Sequence, residues 1–115
     1  MTTKRMRVLV YTHDAKYGAL REIDGSLESM RHLIGGGYIE PVYLDRQLVA
    51  IVDEEGLLKG LPRNTCSGAY GLWVGTFFVA RVTEDDDGAD FTSLTEQDIL
   101  TVRMRFDRQV APFEN

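Results

Sequence analysis

The sequence predicts a single α+β domain: a mostly antiparallel sheet with two helices packed on it. The expected order is ββαββ, an irregular loop, β, then α. Three observations predict this. Runs of β-branched and aromatic residues at 6–12, 48–52 and 72–82 are bounded by turn residues, as strands are. Two segments, 27–34 and 95–110, carry apolar residues at helical spacing. Asp45-Arg46-Gln47 joins two strand-like runs tightly enough for a hairpin. No repeat, low-complexity tract or linker divides the chain, so its 115 residues read as one domain with one modest core.

Residues 6–12 (MRVLVYT) form the first strand, and the segment from His13 to Gly18 turns the chain into a second at 19–23. Leu27, Met30 and Ile34 fall at i, i+3 and i+7, one apolar stripe of a short helix with Leu33 beside it. Asp24 or Ser26 is placed to cap its first turn. Gly35-Gly36-Gly37 ends it, because glycine takes the left-handed conformation without steric cost. Residues 38–44 alternate, and Pro41, lacking an N–H, marks an edge position or a bulge. The apolar run 48–52 reads as a buried strand.

Residues 57–71 are broken by Gly60, Pro62, Gly68 and Gly71 and read as an irregular loop. The run 72–82 (LWVGTFFVARV) is the strongest strand and the expected centre of the sheet. Gly75 within it predicts a bulge or a close approach by another element. After an acidic loop at 83–91, Thr95 as N-cap and Asp98 at N3 make a capping box, with Leu94 and Ile99 at the staple positions. Ile99, Val102, Phe106 and Val110 continue the stripe, and Pro112 lies beyond its end. Residues 111–115 read as a frayed tail.

The formal net charge is −5, but Glu84, Asp85, Asp86, Asp87 and Asp90 account for it, leaving 13 acids against 13 bases elsewhere. The acidity is local, and a generic basic surface for nucleic acid is not expected. The basic clusters at Lys4, Arg5 and Arg7 and at Arg103, Arg105 and Arg108 read as solvated faces, with phosphate binding as the alternative. No apolar run approaches the roughly 18–20 residues that span a bilayer, and the run behind the N-terminus is too short for a signal peptide. One cysteine cannot form an internal disulfide. The expected setting is cytosolic.

Several segments in register carry a family resemblance. They are EIDGSLE (22–28), GGYIE (36–40), LVAIVDEEG (48–56), GLP (60–62) with Asn64, GTFFV (75–79) and FTSLT (91–95). Together they resemble the Domain of Unknown Function 3846 family, small proteins of phages and mobile elements, over about residues 6–106. The resemblance implies such an origin and no particular chemistry. The turn at 11–17, the loop at 66–71 and the acidic loop are where this chain departs from the family pattern.

No motif here specifies catalysis, a metal or a cofactor. Asp85, Asp87 and Gly88 mimic part of an EF-hand, but its frame puts Thr83 and Leu94 where carboxylates are needed, so a solvated hairpin tip is the expectation and a weak cation site or electrostatic decoy the alternative. His13, His32 and Cys66 lack zinc spacing. A Cys66–His13 nucleophile lacks an orienting third group, so a free thiol is the expectation. Gly68-Ala69-Tyr70-Gly71 has no helix immediately behind it and so does not cradle phosphate as Walker or Rossmann loops do. Arg63, Asn64, Gly68, Tyr70 and Gly71 nevertheless lie together in one loop, and loops on rigid scaffolds carry much of protein function. They are the candidate ligand or partner site.

The expected function is therefore non-enzymatic. A phage or mobile-element accessory protein would bind a host protein, a defence component among them, or a small anionic signal such as a nucleotide. The alternative is a self-associating module that uses the strand edge containing Pro41. A cysteine-dependent enzyme is the third reading.

Overall fold

Strand alternation sorts the apolar residues onto two faces of one antiparallel sheet, and each face takes one helix. The computed structural model describes residues 5–67, 73–85 and 88–108. The elements run β1 (Arg5–Tyr11), β2 (Ala19–Asp24), α1 (Leu27–Leu33), β3 (Ile39–Tyr43), β4 (Leu48–Asp53), β5 (Phe77–Asp85), β6 (Gly88–Thr92) and α2 (Glu96–Phe106). The sheet order is β2-β1-β5-β4-β3, with β6 paired to β5. β5 is thus central, as the sequence predicts. Its first half pairs β1 (Leu9 opposite Val79) and its second half pairs β6 (Val82 opposite Phe91). The handover is fixed by Arg7, whose N–H donates to Ser93 Oγ and whose carbonyl accepts from Leu94 N.

Met6, Val8, Val10, Val49, Ile51, Phe78, Ala80 and Val82 form one apolar face beneath Met30 and Ile34 of the α1 segment. Leu9, Tyr11, Leu48, Ala50, Val52, Phe77 and Val79 form the other, covered by Leu94, Val102 and Phe106 at α2. That second face carries an aromatic cluster. Phe77 stacks on Tyr11 with centroids 5.0 Å apart and meets Phe106 edge-on at 5.2 Å. Such pairs add about 0.5–1.5 kcal/mol each beyond their burial.

The capping box at α2 forms as its sequence predicts. Thr95 N donates to Asp98 Oδ2 and Asp98 N donates to Thr95 Oγ1. Ser26 caps α1, accepting from Ser29 N, while Asp24 in turn accepts from Ser26. Gly35 and Gly36 both have positive φ, which is how the chain leaves that helix.

Four expectations need correction. Leu27 is 56% exposed, so the α1 stripe is Met30 and Ile34, 5% and 2% exposed. Leu27 opens the first turn, on the solvent side of the chain's entry. Leu27→Ser should leave the unfolding free energy from urea titration within about 0.5 kcal/mol of wild type; a loss above about 1 kcal/mol would return Leu27 to the core. The central strand begins at Phe77, not Leu72. Gly75 has a φ of +72°, and a Cβ there would meet Leu61 Cδ1 at 2.8 Å. The glycine thus marks the expected close approach, but it ends a bridge between Arg63 and Val74 rather than bulging the sheet. The acidic segment is a hairpin, as expected, but with more strand than expected: residues 77–85 and 88–92 pair, which makes six strands among the described residues against the five expected. Finally, α2 ends at Phe106. Val110 and the tail at 111–115 lie outside the described residues.

Pro41 sits on edge strand β3, opposite Ile51. Tyr38 O accepts from Glu54 N and Leu44 N donates to Leu48 O, so the even-numbered residues bond to β4 and Pro41 faces outward. The ladder therefore loses no bond to proline, and the open edge loses a donor. That arrangement discourages strand addition there.

Candidate functional site

The β1–β2 turn is held between two other parts of the chain, and a pocket forms where they meet. On one side is the segment 61–67. Gly75 N donates to Pro62 O at 2.7 Å and Asn64 N to Trp73 O at 2.9 Å, fixing the backbone around Arg63. Asn64 then anchors the segment to the sheet. Its Nδ2 donates to the carbonyls of Tyr11 (3.1 Å), Thr12 (3.3 Å) and Gly75 (2.8 Å), and its Oδ1 accepts from Cys66 N (2.8 Å). Thr65 N reaches His13 O, and Thr65 Oγ1 donates to Ala15 O at 3.0 Å. The Cys66 thiol donates to the same carbonyl.

On the other side is the end of α2. Asp107 accepts from Tyr11 Oη (2.7 Å) and Gly18 N (2.9 Å), and Arg103 bridges Gly18 O and Asp107. Burial first, then the bond to Asp107, pushes the Tyr11 phenol far above its usual range. Arg108 N donates to Lys16 O at 2.7 Å. This network brings Arg108 to the loop that carries Arg63, 45 positions earlier in the chain.

The resulting pocket has a volume of about 360 Å³ and is lined by Arg63, Asn64, Thr65, Ser67 and Arg108. Among the described residues neither Arg63 nor Arg108 makes an ion pair. Arg103, in the last turn of α2, is committed to Asp107. Two uncompensated guanidinium groups in one recess of a chain with net charge −5 favour an anion.

Of the sequence-derived candidates, Arg63 lines the pocket with an exposed side chain. Asn64 lines it too, but its amide is consumed by the backbone and its residue is 1% exposed. Gly68, Tyr70 and Gly71 lie outside the described residues. Arg108, Thr65 and Ser67 join the site without having been singled out as ligands. Only the C-terminal cluster of Arg103, Arg105 and Arg108 hinted at the first.

A larger hollow of about 510 Å³ lies over α1, lined by Leu27, Glu28, Arg31, His32 and Gly36. It is the weaker candidate. Arg31 is occupied, donating to Gly37 O and stacking 4.6 Å over the Tyr38 ring, and Glu28 brings a carboxylate to the same hollow. Cys66 is buried, and that burial raises its thiol pKa. Its hydrogen-bond partner is a carbonyl rather than an imidazole. Among the described residues no group of three His, Cys, Asp or Glu side chains could hold a metal ion, and no helix is long and apolar enough to cross a membrane.

Residues 6–107 match the model of a family described as Domain of unknown function (DUF3846). No curated protein and no solved structure matches the chain.

Proposed function

This chain belongs to the DUF3846 family, and from its own residues we propose that it acts by binding an anionic ligand rather than by catalysis. The observation that carries this reading is the meeting of Arg63 and Arg108, both without ion pairs among the described residues, in one braced recess. Guanidinium groups supply several donors and no acceptor, so the recess recognises negative charge, and no carboxylate or imidazole is among the described residues that line it. A buried thiol that already donates to a carbonyl is a poor nucleophile, because the thiolate is the reactive form.

In the phage or mobile-element setting that the family resemblance implies, the target is a component of the host cell. A small anionic signal such as a nucleotide suits the recess better than a host protein does, since 360 Å³ falls at the small-molecule end of binding-site sizes. Self-association through β3 is the second reading, and the outward-facing Pro41 weighs against it.

The test is thermal shift at low ionic strength against a panel of phosphate, pyrophosphate, citrate and adenosine triphosphate. Ligand at about 100 times its Kd stabilises by roughly 2.7 kcal/mol, a rise of several degrees. Wild type and Cys66→Ser should both show it for at least one anion, and Arg63→Ala/Arg108→Ala should not. Loss of the shift in a folded Cys66→Ser variant, with the double arginine variant unaffected, would reverse the assignment toward cysteine chemistry.

A further inference from the structure

We propose that the Arg63–Arg108 recess takes a phosphorylated sugar, either free or as part of a nucleotide; this rests on the anion-binding reading above and narrows it. Charge balance gives the first argument. A single carboxylate is satisfied by one guanidinium fork and leaves the second cation uncompensated. A phosphate monoester carries about −1.5 to −2 charges at neutral pH and three acceptor oxygens, which matches two forks.

The second argument comes from Thr65. Its Oγ1 donates to Ala15 O and lies beside the Cys66 thiol, whose own proton also goes to Ala15 O, so the hydroxyl oxygen keeps a lone pair for a donor in the pocket that Thr65 lines. An acceptor repels an anionic oxygen and welcomes a hydroxyl donor. The recess is thus donor-rich at its two arginines and accepting at Thr65, and it calls for an anion with a hydroxyl group close by on the same molecule. Sulfate, bare phosphate and citrate each supply only part of that pattern or supply it with the wrong charge distribution. A sugar phosphate supplies both halves.

Size and order agree. The volume of 360 Å³ admits a ligand of the mononucleotide class. The backbone around Arg63 and Thr65 is fixed by its bonds to Trp73, Gly75, Tyr11 and His13, so little ordering is left to oppose binding.

The experiment is isothermal titration calorimetry at low salt with ribose 5-phosphate, adenosine 5′-monophosphate, inorganic phosphate and citrate. Wild type should bind ribose 5-phosphate about tenfold more tightly than inorganic phosphate, and Arg63→Ala and Arg108→Ala should each weaken it about tenfold or more. Thr65→Val should weaken ribose 5-phosphate severalfold and leave inorganic phosphate unchanged, while Thr65→Ser restores the sugar phosphate. Circular dichroism checks that each variant is folded. Tighter binding of adenosine 5′-monophosphate than of ribose 5-phosphate assigns the site to nucleotides, and equal binding assigns it to free sugar phosphates. Citrate or inorganic phosphate binding as tightly as ribose 5-phosphate, through the same arginines, overturns the sugar-phosphate assignment and leaves the anion reading standing. No heat with any anion on wild type removes both.

Discussion

Asn64→Asp should destabilise the domain more than Asn64→Ala, although aspartate is the closer match in shape. Alanine removes four hydrogen bonds and leaves the carbonyls of Tyr11, Thr12 and Gly75 and the Cys66 N–H short of a partner. A buried group left unsatisfied costs about 1–3 kcal/mol, and some of these carbonyls relax toward water, so the expected loss is about 2–4 kcal/mol. Aspartate keeps the acceptor for Cys66 N–H but turns an oxygen toward three carbonyls where a donor stood. A buried charge among acceptors has no compensation, and the loss should exceed about 4 kcal/mol at neutral pH. Acid should narrow the difference, because a protonated carboxyl regains one donor. Urea unfolding at pH 7 and pH 5 measures all three. An aspartate variant as stable as the alanine one would remove Asn64 from its anchoring role and return it to the ligand set.

The features legible in the sequence are those whose cause is local. The capping box of Thr95 and Asp98 and its staple of Leu94 and Ile99 lie within six residues, and the structure forms the box as read. The glycines after α1 and the proline on β3 are equally local statements about φ and N–H groups. Asn64 fails this test. In a Pro-Arg-Asn-Thr loop a polar residue looks exposed, and nothing nearby signals that β1 will arrive to bury it. The second half of the pocket fails it too, since Arg108 comes from a helix end 45 positions away and is placed there by bonds to the β1–β2 turn. β6 was hidden by composition, because Asp and Gly are depleted in strands and its pairing depends on β5. The start of β5 is misleading for the opposite reason. Trp73 and Val74 look like sheet residues, yet they pair with the loop at Arg63.

Arg81→Met should cost about 2–3 kcal/mol at pH 7, and the cost should shrink in acid. Arg81 Nη1 donates to both carboxylate oxygens of Asp98 at 2.8 Å, tying α2 to the central strand. Burial pushes the Asp98 carboxyl up, but the Thr95 N–H, the Arg81 bond, the Thr95 hydroxyl and the Arg81 charge together outweigh it. The carboxyl is held below the usual carboxylate range. Removing one partner of a buried pair costs about 3–5 kcal/mol. The lower figure applies here because both side chains keep some solvent contact and the capping box still serves the carboxylate. The pH dependence follows from the lowered pKa. Its stabilisation is complete above the unfolded value of about 3.9 and is lost as pH falls through the folded value. In Arg81→Met the same burial meets fewer opposing bonds, so the folded pKa rises and that stabilisation disappears. Wild type and variant should therefore differ fully at pH 7 and converge below about pH 4. Glu96→Gln, at an exposed pair with Arg7 3.7 Å away, is the control and should change little at either pH. Parallel stability curves for wild type and Arg81→Met down to pH 3 would show that Arg81 holds α2 by packing its alkyl chain and not by its charge.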